Sequence, residues 1–215
     1  MALKDDPSVE STDPAQQGSG FSVSRRAFLQ SIGVTSVAAG VLGTADAEAQ
    51  TSGPPKLGPG AVPVTLRVNG KTHELPIEPR VTLLDALRDR LEYTGLKRVC
   101  DRGSCGACTA IVDGRPVYSC SMLAIEAQGK DIRTVEGLVE GTILHPVQQA
   151  LCDHDGTMCG FCTPGFVMAA VSLLEKNPSP SKEEARAALD GNICRCGTYP
   201  QVLEAVLSVK GVRRG

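Results

Sequence analysis

The chain has 215 residues, 41% of them hydrophobic, and a formal charge of −2 at pH 7. This length suits one or two small domains, and the balanced charge excludes a strongly basic face for nucleic acid. Aromatic residues make up only 3% and tryptophan is absent, so a core must be built from aliphatic side chains and benefits from metal or disulfide cross-links. The nine cysteines are therefore the most informative part of the composition.

Residues 1–49 have the layout of a disordered N-terminus followed by a twin-arginine export signal. A polar stretch comes first, and Arg25–Arg26 then precede a mild apolar run that is too short for a membrane span. Ala-x-Ala patterns ending at Ala47 and Ala49 follow this run. We therefore predict a cleavable signal, export of the folded chain to the periplasm, and a Pro/Gly linker over residues 50–61. A disordered tail with two surface arginines is the alternative.

Residues 62–138 are predicted to form a small α+β domain. An alternating strand ends at Asn69–Gly70, which strongly favours a hairpin. Thr82 can cap a helix that continues to Gly95, where glycine favours the helix end. A second hairpin turns at Asp113–Gly114.

Residues 143–213 are predicted to be entirely helical, with four helices. The second helix stops before Pro178, because proline disfavours a helical conformation at the preceding residue. Ser181 and Glu184 have the spacing of a capping box at the start of the third helix. Pro200 is tolerated in the first turn of the fourth.

Four cysteines of the first domain form one set: Cys100, Cys105, Cys108 and Cys120. Their C-x4-C-x2-C spacing with a distant fourth cysteine is the plant-type arrangement for a [2Fe–2S] cluster. Gly103 and Gly106 allow the loop to curl closely around such a cluster. Two disulfides or a zinc site are the alternatives, but structural zinc sites prefer C-x2-C pairs at both ends.

The second domain contains another set of four: Cys159, Cys162, Cys194 and Cys196. These form a CGFC pair and a CRC pair, and each pair precedes a predicted helix. Helix N-termini stabilise thiolates whatever the thiolates bind. The spacing alone therefore leaves iron–sulfur, zinc and a thioredoxin-like redox pair open.

Three segments, in order, give the chain a family resemblance: "CDRGSCGACT", "CGFCTPG" and "GNICRCGTYP". Residues 62–213 resemble the iron–sulfur subunit of the xanthine dehydrogenase / aldehyde oxidoreductase family of molybdenum hydroxylases. With its export signal, the chain is most similar to the subunit of a periplasmic aldehyde oxidoreductase. The resemblance implies an α+β fold class: an N-terminal plant-type [2Fe–2S] ferredoxin-like (β-grasp) domain, followed by an all-α four-helix [2Fe–2S]-binding domain.

The resemblance also implies an electron-transfer role. A large subunit with molybdenum and a pterin would oxidise an aldehyde, and two [2Fe–2S] clusters here would pass the electrons to a FAD subunit, a cytochrome or another acceptor. All eight cysteines of the two sets would be metal ligands, with the second set nearer molybdenum and Cys196 contacting the molybdopterin. This chain would supply no catalytic residue. Arg195 would tune a cluster, dock the large subunit or simply face solvent. Met158 stands where the family often has glutamine, which removes one hydrogen bond to the pterin.

Two alternatives to aldehyde oxidation remain open at this point. The partner could act on a purine, an N-heteroaromatic compound or carbon monoxide, because substrate specificity belongs to the large subunit. The chain could also be a secreted structural domain held by zinc or disulfides. The ninth cysteine, Cys152, is predicted to be a buried structural thiol on the apolar side of its helix. No chemical role is predicted for His73, His145 or His154.

Overall fold

The structure is a computed structural model that describes Ser24, Arg26 and residues 56–209. From residue 56 onward, the described residues belong to one compact unit. Apart from Ser24 and Arg26, the predicted N-terminal segment and export signal lie outside the described residues, and so does the first half of the predicted linker, residues 50–55. Among the helices in the described part of the chain, none is long and apolar enough to cross a membrane.

The first hairpin is confirmed. Strands β1 (Val62–Val68) and β2 (Lys71–Ile77) pair antiparallel, and Val68 lies opposite Lys71 at the turn. Asn69 and Gly70 have φ values of 49° and 77°. Both angles lie in the left-handed region that a type I′ turn requires, and asparagine and glycine tolerate it best. Alternate residues of β1 point into the core, which fixes the register of the pair.

Three more strands complete a mixed sheet: β3 (Thr109–Val112), β4 (Arg115–Tyr118) and β5 (Asp131–Arg133). The strand order is β2-β1-β5-β3-β4, with β1 and β5 parallel and the other pairs antiparallel. The predicted turn between β3 and β4 is confirmed at Asp113 and Gly114. A sheet with this order and one helix packed on it is the predicted ferredoxin-like arrangement.

The helix of this domain is shorter than predicted. Helix α1 (Leu83–Asp85) is capped by Thr82, whose hydroxyl accepts from the Asp85 N–H, and it continues as a π-helix over Ala86–Arg90. The prediction that it runs to Gly95 is wrong. Glu92 has a φ of 61°, and a left-handed residue directly after a widened last turn ends the helix there.

The second domain has the predicted four helices, named here α2 (Pro146–Asp153), α3 (Thr163–Lys176), α4 (Lys182–Leu189) and α5 (Tyr199–Ser208). The Ser181–Glu184 capping box is confirmed, because each side chain accepts a hydrogen bond from the backbone of the other residue. Helix α3 is buried along most of its length and forms the centre of the helical core.

The two domains pack directly on each other. Helix α3 lies against β3, and Ile111 of that strand is part of the helical core. Beside this apolar contact, the Arg133 guanidinium binds the Glu175 carboxylate with two bonds of 2.7 and 2.6 Å. The two side chains are 24% and 12% exposed, so this bidentate pair is largely shielded from water.

Candidate functional site

The first cysteine set gathers at one end of the β3–β4 hairpin. Cys108 directly precedes β3, and Cys120 lies in a 3₁₀ turn (Ser119–Ser121) directly after β4, so the pairing of Thr109 with Tyr118 brings the two thiols into contact. The loop before β3 brings Cys100 into contact with Cys105. The set therefore consists of two pairs of neighbouring thiols.

Backbone amides of the loop point at these sulfurs. The Gly103 N–H donates to Cys120 Sγ at 3.2 Å, and the Ser104 N–H donates to Cys100 Sγ at 3.4 Å. Gly103 has a φ of +70°, and a Cβ there would lie 2.6 Å from the Ser121 hydroxyl. The predicted need for glycine in this loop thus has a steric cause as well as a conformational one.

The thiols of this set differ in pKa because their surroundings differ. Burial raises the pKa of Cys100, but hydrogen bonds from the Arg102 and Ser104 amides and from Cys105 outweigh it and lower that pKa to about 6. Burial raises the pKa of Cys108 to about 11, with a further increase from Cys120. A metal that binds all these sulfurs as thiolates must therefore displace a proton from the buried Cys108.

The second set forms where two helices begin, as predicted. The CGFC segment leads into α3 and the CRC segment leads into α5. Each thiol contact joins one segment to the other: Cys159 contacts Cys196, and Cys162 contacts Cys194. The helical domain therefore brings together four thiols from positions more than thirty residues apart in the sequence.

Two neighbours act on Cys194. The Thr198 hydroxyl lies 3.2 Å from Cys194 Sγ, and the Tyr199 hydroxyl accepts a bond of 2.8 Å from the Cys194 N–H. Burial raises the pKa of Cys194, but the hydrogen bonds from Thr198, from the Cys162 thiol and from the Gly197 N–H lower it to about 7. Burial raises the pKa of Cys162 to about 12.

The donor sets fit a [2Fe–2S] cluster better than zinc or disulfides. All nine cysteines, which lie in the described part of the chain, are free thiols. Over the described ranges, no three His, Cys, Asp or Glu side chains are grouped so as to hold one metal ion. Each set instead consists of two thiol pairs, which matches two irons with two thiolates each.

The two sets differ in their access to solvent. Cys105, Cys108 and Cys120 are buried, whereas Cys159 and Cys196 are exposed. Four large apolar side chains next to the exposed thiols or their segments are also exposed: Met158, Phe161, Ile193 and Tyr199. An apolar rim around exposed thiols is typical of an interaction face.

Three hydrogen bonds join the two sites. The Ile193 N–H donates to the Cys105 carbonyl oxygen at 2.9 Å. The Asn192 amide donates to the Gly106 carbonyl oxygen at 2.9 Å, and the Tyr118 hydroxyl donates to the Gly191 carbonyl oxygen at 2.9 Å. The helical domain contributes Gly191, Asn192 and Ile193 to these bonds, and all three lie within three residues of Cys194.

Three residues at these sites, Asn192, Thr198 and Tyr118, were not predicted from the sequence. Asn192 could have been predicted as a polar residue two positions before a CxC segment, and Thr198 as a hydroxyl four residues after Cys194. Nothing in the sequence points to Tyr118, because its partner is 73 residues away.

One prediction about the remaining residues is wrong. Cys152 is exposed and not buried. Helix α2 buries Val147 and Leu151, and a residue one position after Leu151 is turned about 100° away from that face. His145 caps this helix through Nδ1, which accepts from the Val147 N–H at 3.2 Å. Arg195 is exposed.

The fold and the paired thiols together define a two-domain [2Fe–2S] protein. Residues 66–139 match the family described as "2Fe-2S iron-sulfur cluster binding domain", and residues 134–207 match the "[2Fe-2S] binding domain" family. The chain belongs to the iron–sulfur small subunits of the molybdenum hydroxylases, and it is a subunit of an oxidoreductase.

Similarity to characterised proteins covers most of the chain. It is 48% identical over 150 residues to the nicotine 6-hydroxylase small subunit of Paenarthrobacter nicotinovorans, which covers 70% of this chain and 90% of that protein. It is 42% identical to the aldehyde oxidoreductase iron–sulfur-binding subunit of Escherichia coli O157:H7, covering 71% and 73% of the two chains.

Solved structures agree with this family. Quinoline 2-oxidoreductase from Pseudomonas putida 86 matches with a TM-score of 0.68 and 41% identity, over 69% of this chain and 92% of that one. The aldehyde oxidoreductase from Desulfovibrio desulfuricans matches with a TM-score of 0.65 and 40% identity, over 67% of this chain but only 16% of that one.

Proposed function

We propose that this chain carries electrons from a molybdenum-containing large subunit that oxidises an aldehyde to a FAD subunit, a cytochrome or another acceptor. One observation carries the proposal: two sets of four thiols, in two domains, are joined by a direct backbone hydrogen bond between Cys105 and Ile193. A chain with one such set could hold an electron, but the linked pair of sets supports passage from one end of the molecule to the other.

The ligands of the two clusters are the eight paired cysteines: Cys100, Cys105, Cys108, Cys120, Cys159, Cys162, Cys194 and Cys196. When bound, each [2Fe–2S] cluster supplies reversible one-electron chemistry. The Gly103 and Ser104 amides stabilise negative charge on the sulfurs of the first set, and the Thr198 hydroxyl does so in the second. The protein thereby favours the thiolate form of Cys100 and Cys194 before a metal binds, whereas the buried Cys108 and Cys162 lose their protons to it.

The connection between the sets is short. Cys105 belongs to the first set, and its carbonyl oxygen accepts from the N–H of Ile193, which is covalently bonded to Cys194 of the second set. One hydrogen bond and a few covalent bonds therefore join a ligand of one site to a ligand of the other. This connection gives electrons a route that does not cross open solvent.

The exposed thiols indicate which site faces the large subunit. Cys159 and Cys196 are open to solvent within an apolar rim, whereas the first set is mostly buried. We assign the face around Cys196 to the large subunit, with Cys196 contacting its molybdopterin. Met158 is 70% exposed on the same face and contributes an apolar contact where a glutamine amide would offer a hydrogen bond.

Substituting one ligand tests this assignment. Cys105→Ser should remove the EPR signal of one cluster and stop turnover with an external acceptor, because the chain of carriers is broken. Cys152→Ser is a matched control, since it removes an exposed thiol outside both sets and should leave iron content unchanged. Full turnover in the Cys105→Ser complex would contradict the electron-transfer proposal for that site.

A second candidate substrate class is an N-heteroaromatic compound. It is favoured by the 48% identity to the small subunit of nicotine 6-hydroxylase, against 42% to an aldehyde oxidoreductase subunit. The native complex, with roughly four irons per chain, should be mixed separately with aldehydes and with pyridine or quinoline compounds. The class that reduces the clusters, seen as the appearance of their EPR signals, is the substrate class, and reduction by heteroaromatics alone would overturn the aldehyde assignment.

We also propose that the chain is exported to the periplasm by the twin-arginine route. The proposal rests on the order of Arg25–Arg26, an apolar run and the small-residue pattern to Ala49. The double substitution Arg25→Lys and Arg26→Lys should retain the chain in the cytoplasm, and N-terminal sequencing of the exported chain should begin after Ala47 or Ala49. Export that is unaffected by the double substitution would contradict this route.

A further inference from the structure

Asn192 occupies a junction between three segments that carry cluster ligands. It is 4% exposed and directly precedes the Ile193–Cys194 pair. Its amide nitrogen donates to the Gly106 carbonyl oxygen at 2.9 Å, across the boundary between the domains. Gly106 lies between Cys105 and Cys108, so one side chain of the helical domain holds the ligand loop of the other domain.

Two glycines make room for this amide. A Cβ on Gly106 would lie 2.6 Å from Asn192 Nδ2, and a Cβ on Gly165 would lie 2.8 Å from the same atom. Gly165 belongs to α3 and comes three residues after Cys162. The asparagine amide therefore fills a space lined by backbone near a ligand of each domain, with little room for either segment to shift.

The neighbouring bonds restrain the same junction. The Ile193 N–H donates to the Cys105 carbonyl oxygen, so two consecutive residues of the helical domain bind two consecutive residues of the first ligand loop. The Asn192 side chain supplies the only side-chain donor of this two-residue clamp. Without it, the Gly106 carbonyl oxygen would keep only the bonds from its own domain, which the Thr109 N–H and hydroxyl donate. One of the two bonds that tie this loop to the residues next to Cys194 would be lost, so the loop would be less firmly held relative to Cys194.

We propose that Asn192 is a positioning residue that fixes the distance and orientation between the two clusters, and so sets the rate at which electrons pass between them. This inference rests on the proposed function only in its assignment of the two ligand sets. It goes beyond that function by giving a residue that binds neither cluster control over the step between them. It requires no specific substrate and no specific acceptor.

The test uses the whole complex, purified natively and reduced with dithionite. Asn192→Ala should leave iron and labile sulfide content intact but should reduce or abolish the magnetic interaction between the two cluster EPR signals. Rapid-freeze EPR should also show slower filling of the second signal after the first. The equilibrium constant for unfolding should rise by roughly tenfold, as expected for loss of one buried hydrogen bond.

Two controls separate this role from general damage. Asn177→Ala removes the same kind of side chain from a site where its bonds to Glu184 and Ser179 stay within the helical domain. Arg133→Met breaks a different polar contact between the domains, the ion pair with Glu175, which lies away from the ligand loops. Both variants should keep the wild-type magnetic interaction, even where they lower stability.

The remaining outcomes decide the inference. A wild-type magnetic interaction in Asn192→Ala would overturn it, and so would an equal change in Arg133→Met. If Asn192→Ala fails to assemble its clusters, Asn192→Ser offers a smaller polar replacement and should show an intermediate interaction. Loss of clusters in both variants would make Asn192 a folding residue and would also overturn the inference. If the partner subunit does not oxidise aldehydes, these measurements are unaffected, because dithionite and not a substrate reduces the clusters.

Discussion

Arg133 of the sheet domain and Glu175 of the helical domain form a bidentate ion pair, with bonds of 2.7 and 2.6 Å, that is mostly shielded from solvent. Another pair of the same kind, Arg67 with Asp131, lies within the sheet domain and is exposed by 59% and 39%. The two pairs have similar chemistry but different burial, so they allow a matched comparison.

Arg133→Met should lower the free energy of unfolding by about 3 kcal/mol, because it takes a bidentate partner away from a shielded carboxylate. Arg67→Met should cost less than about 1 kcal/mol, since exposed ion pairs contribute little. Urea denaturation of the two variants measures both values. Equal costs would show that the contact between the domains does not depend on this pair.

Gly106→Ala should prevent assembly of the first cluster. Gly106 and Gly114 have nearly the same φ, +70° and +73°, so alanine at either position meets similar backbone strain of about 1 kcal/mol. Only at Gly106 would the new Cβ collide with neighbours, 2.5 Å from the Gly191 carbonyl oxygen. Iron analysis should therefore show a loss in Gly106→Ala and none in Gly114→Ala, and equal iron content in both variants would refute the steric explanation.

Thr198→Val should lower the reduction potential of the second cluster. The Thr198 hydroxyl lies 3.2 Å from Cys194 Sγ, and a hydrogen bond to sulfur stabilises the more negative, reduced state. A difference of about 1 kcal/mol between the two states corresponds to roughly 40 mV for one electron. A redox titration followed by EPR measures the shift, with exposed Thr142→Val as the control that should not move it.

Protonation of His145 should make the helical domain less stable in acid. Burial lowers its pKa, nearby Glu175 opposes this effect and Arg133 adds to it. Because the folded pKa lies below that of the unfolded chain, the unfolded state binds more protons between the two values. The stabilising cap is therefore intact above about pH 6.5 and is lost as the pH falls towards the folded pKa.

His145→Asn separates this effect from the acid sensitivity of the clusters themselves. Asparagine caps a helix without titrating, so the variant should gain stability relative to the wild type as the pH falls from about 7.5 to about 5. Denaturant unfolding across this interval gives the difference at each pH. Parallel curves for the two proteins would show that protonation of His145 is not involved.

Local features allowed much of the fold to be predicted. The turns at Asn69–Gly70 and Asp113–Gly114 need left-handed backbone that few residues tolerate, so the residues themselves mark the hairpins. The Ser181–Glu184 capping box marks a helix start in the same way. The boundaries assigned to the two domains, and the export signal, stay predictions.

The features that were predicted wrongly or missed depend on packing and on contacts between residues far apart in the sequence. The first helix ends at Arg90, before the left-handed Glu92, and not at Gly95, because its last turn widens and no helix-breaking residue marks that point. Cys152 faces solvent because an eight-residue helix has a narrow buried side, and its direction is set by the core it packs against. Asn192 escaped notice because Gly106 is 86 residues away.

The unequal burial of the two thiol sets has a consequence for how the subunit matures. Three of the first four thiols are covered by the chain itself, so iron and sulfide must reach them while that domain is still closing. Cys159 and Cys196 remain at the surface of the finished fold, and a delivery protein can reach them until the large subunit covers that face. We therefore expect an ordered biogenesis, in which the inner site is loaded during folding and the outer one last.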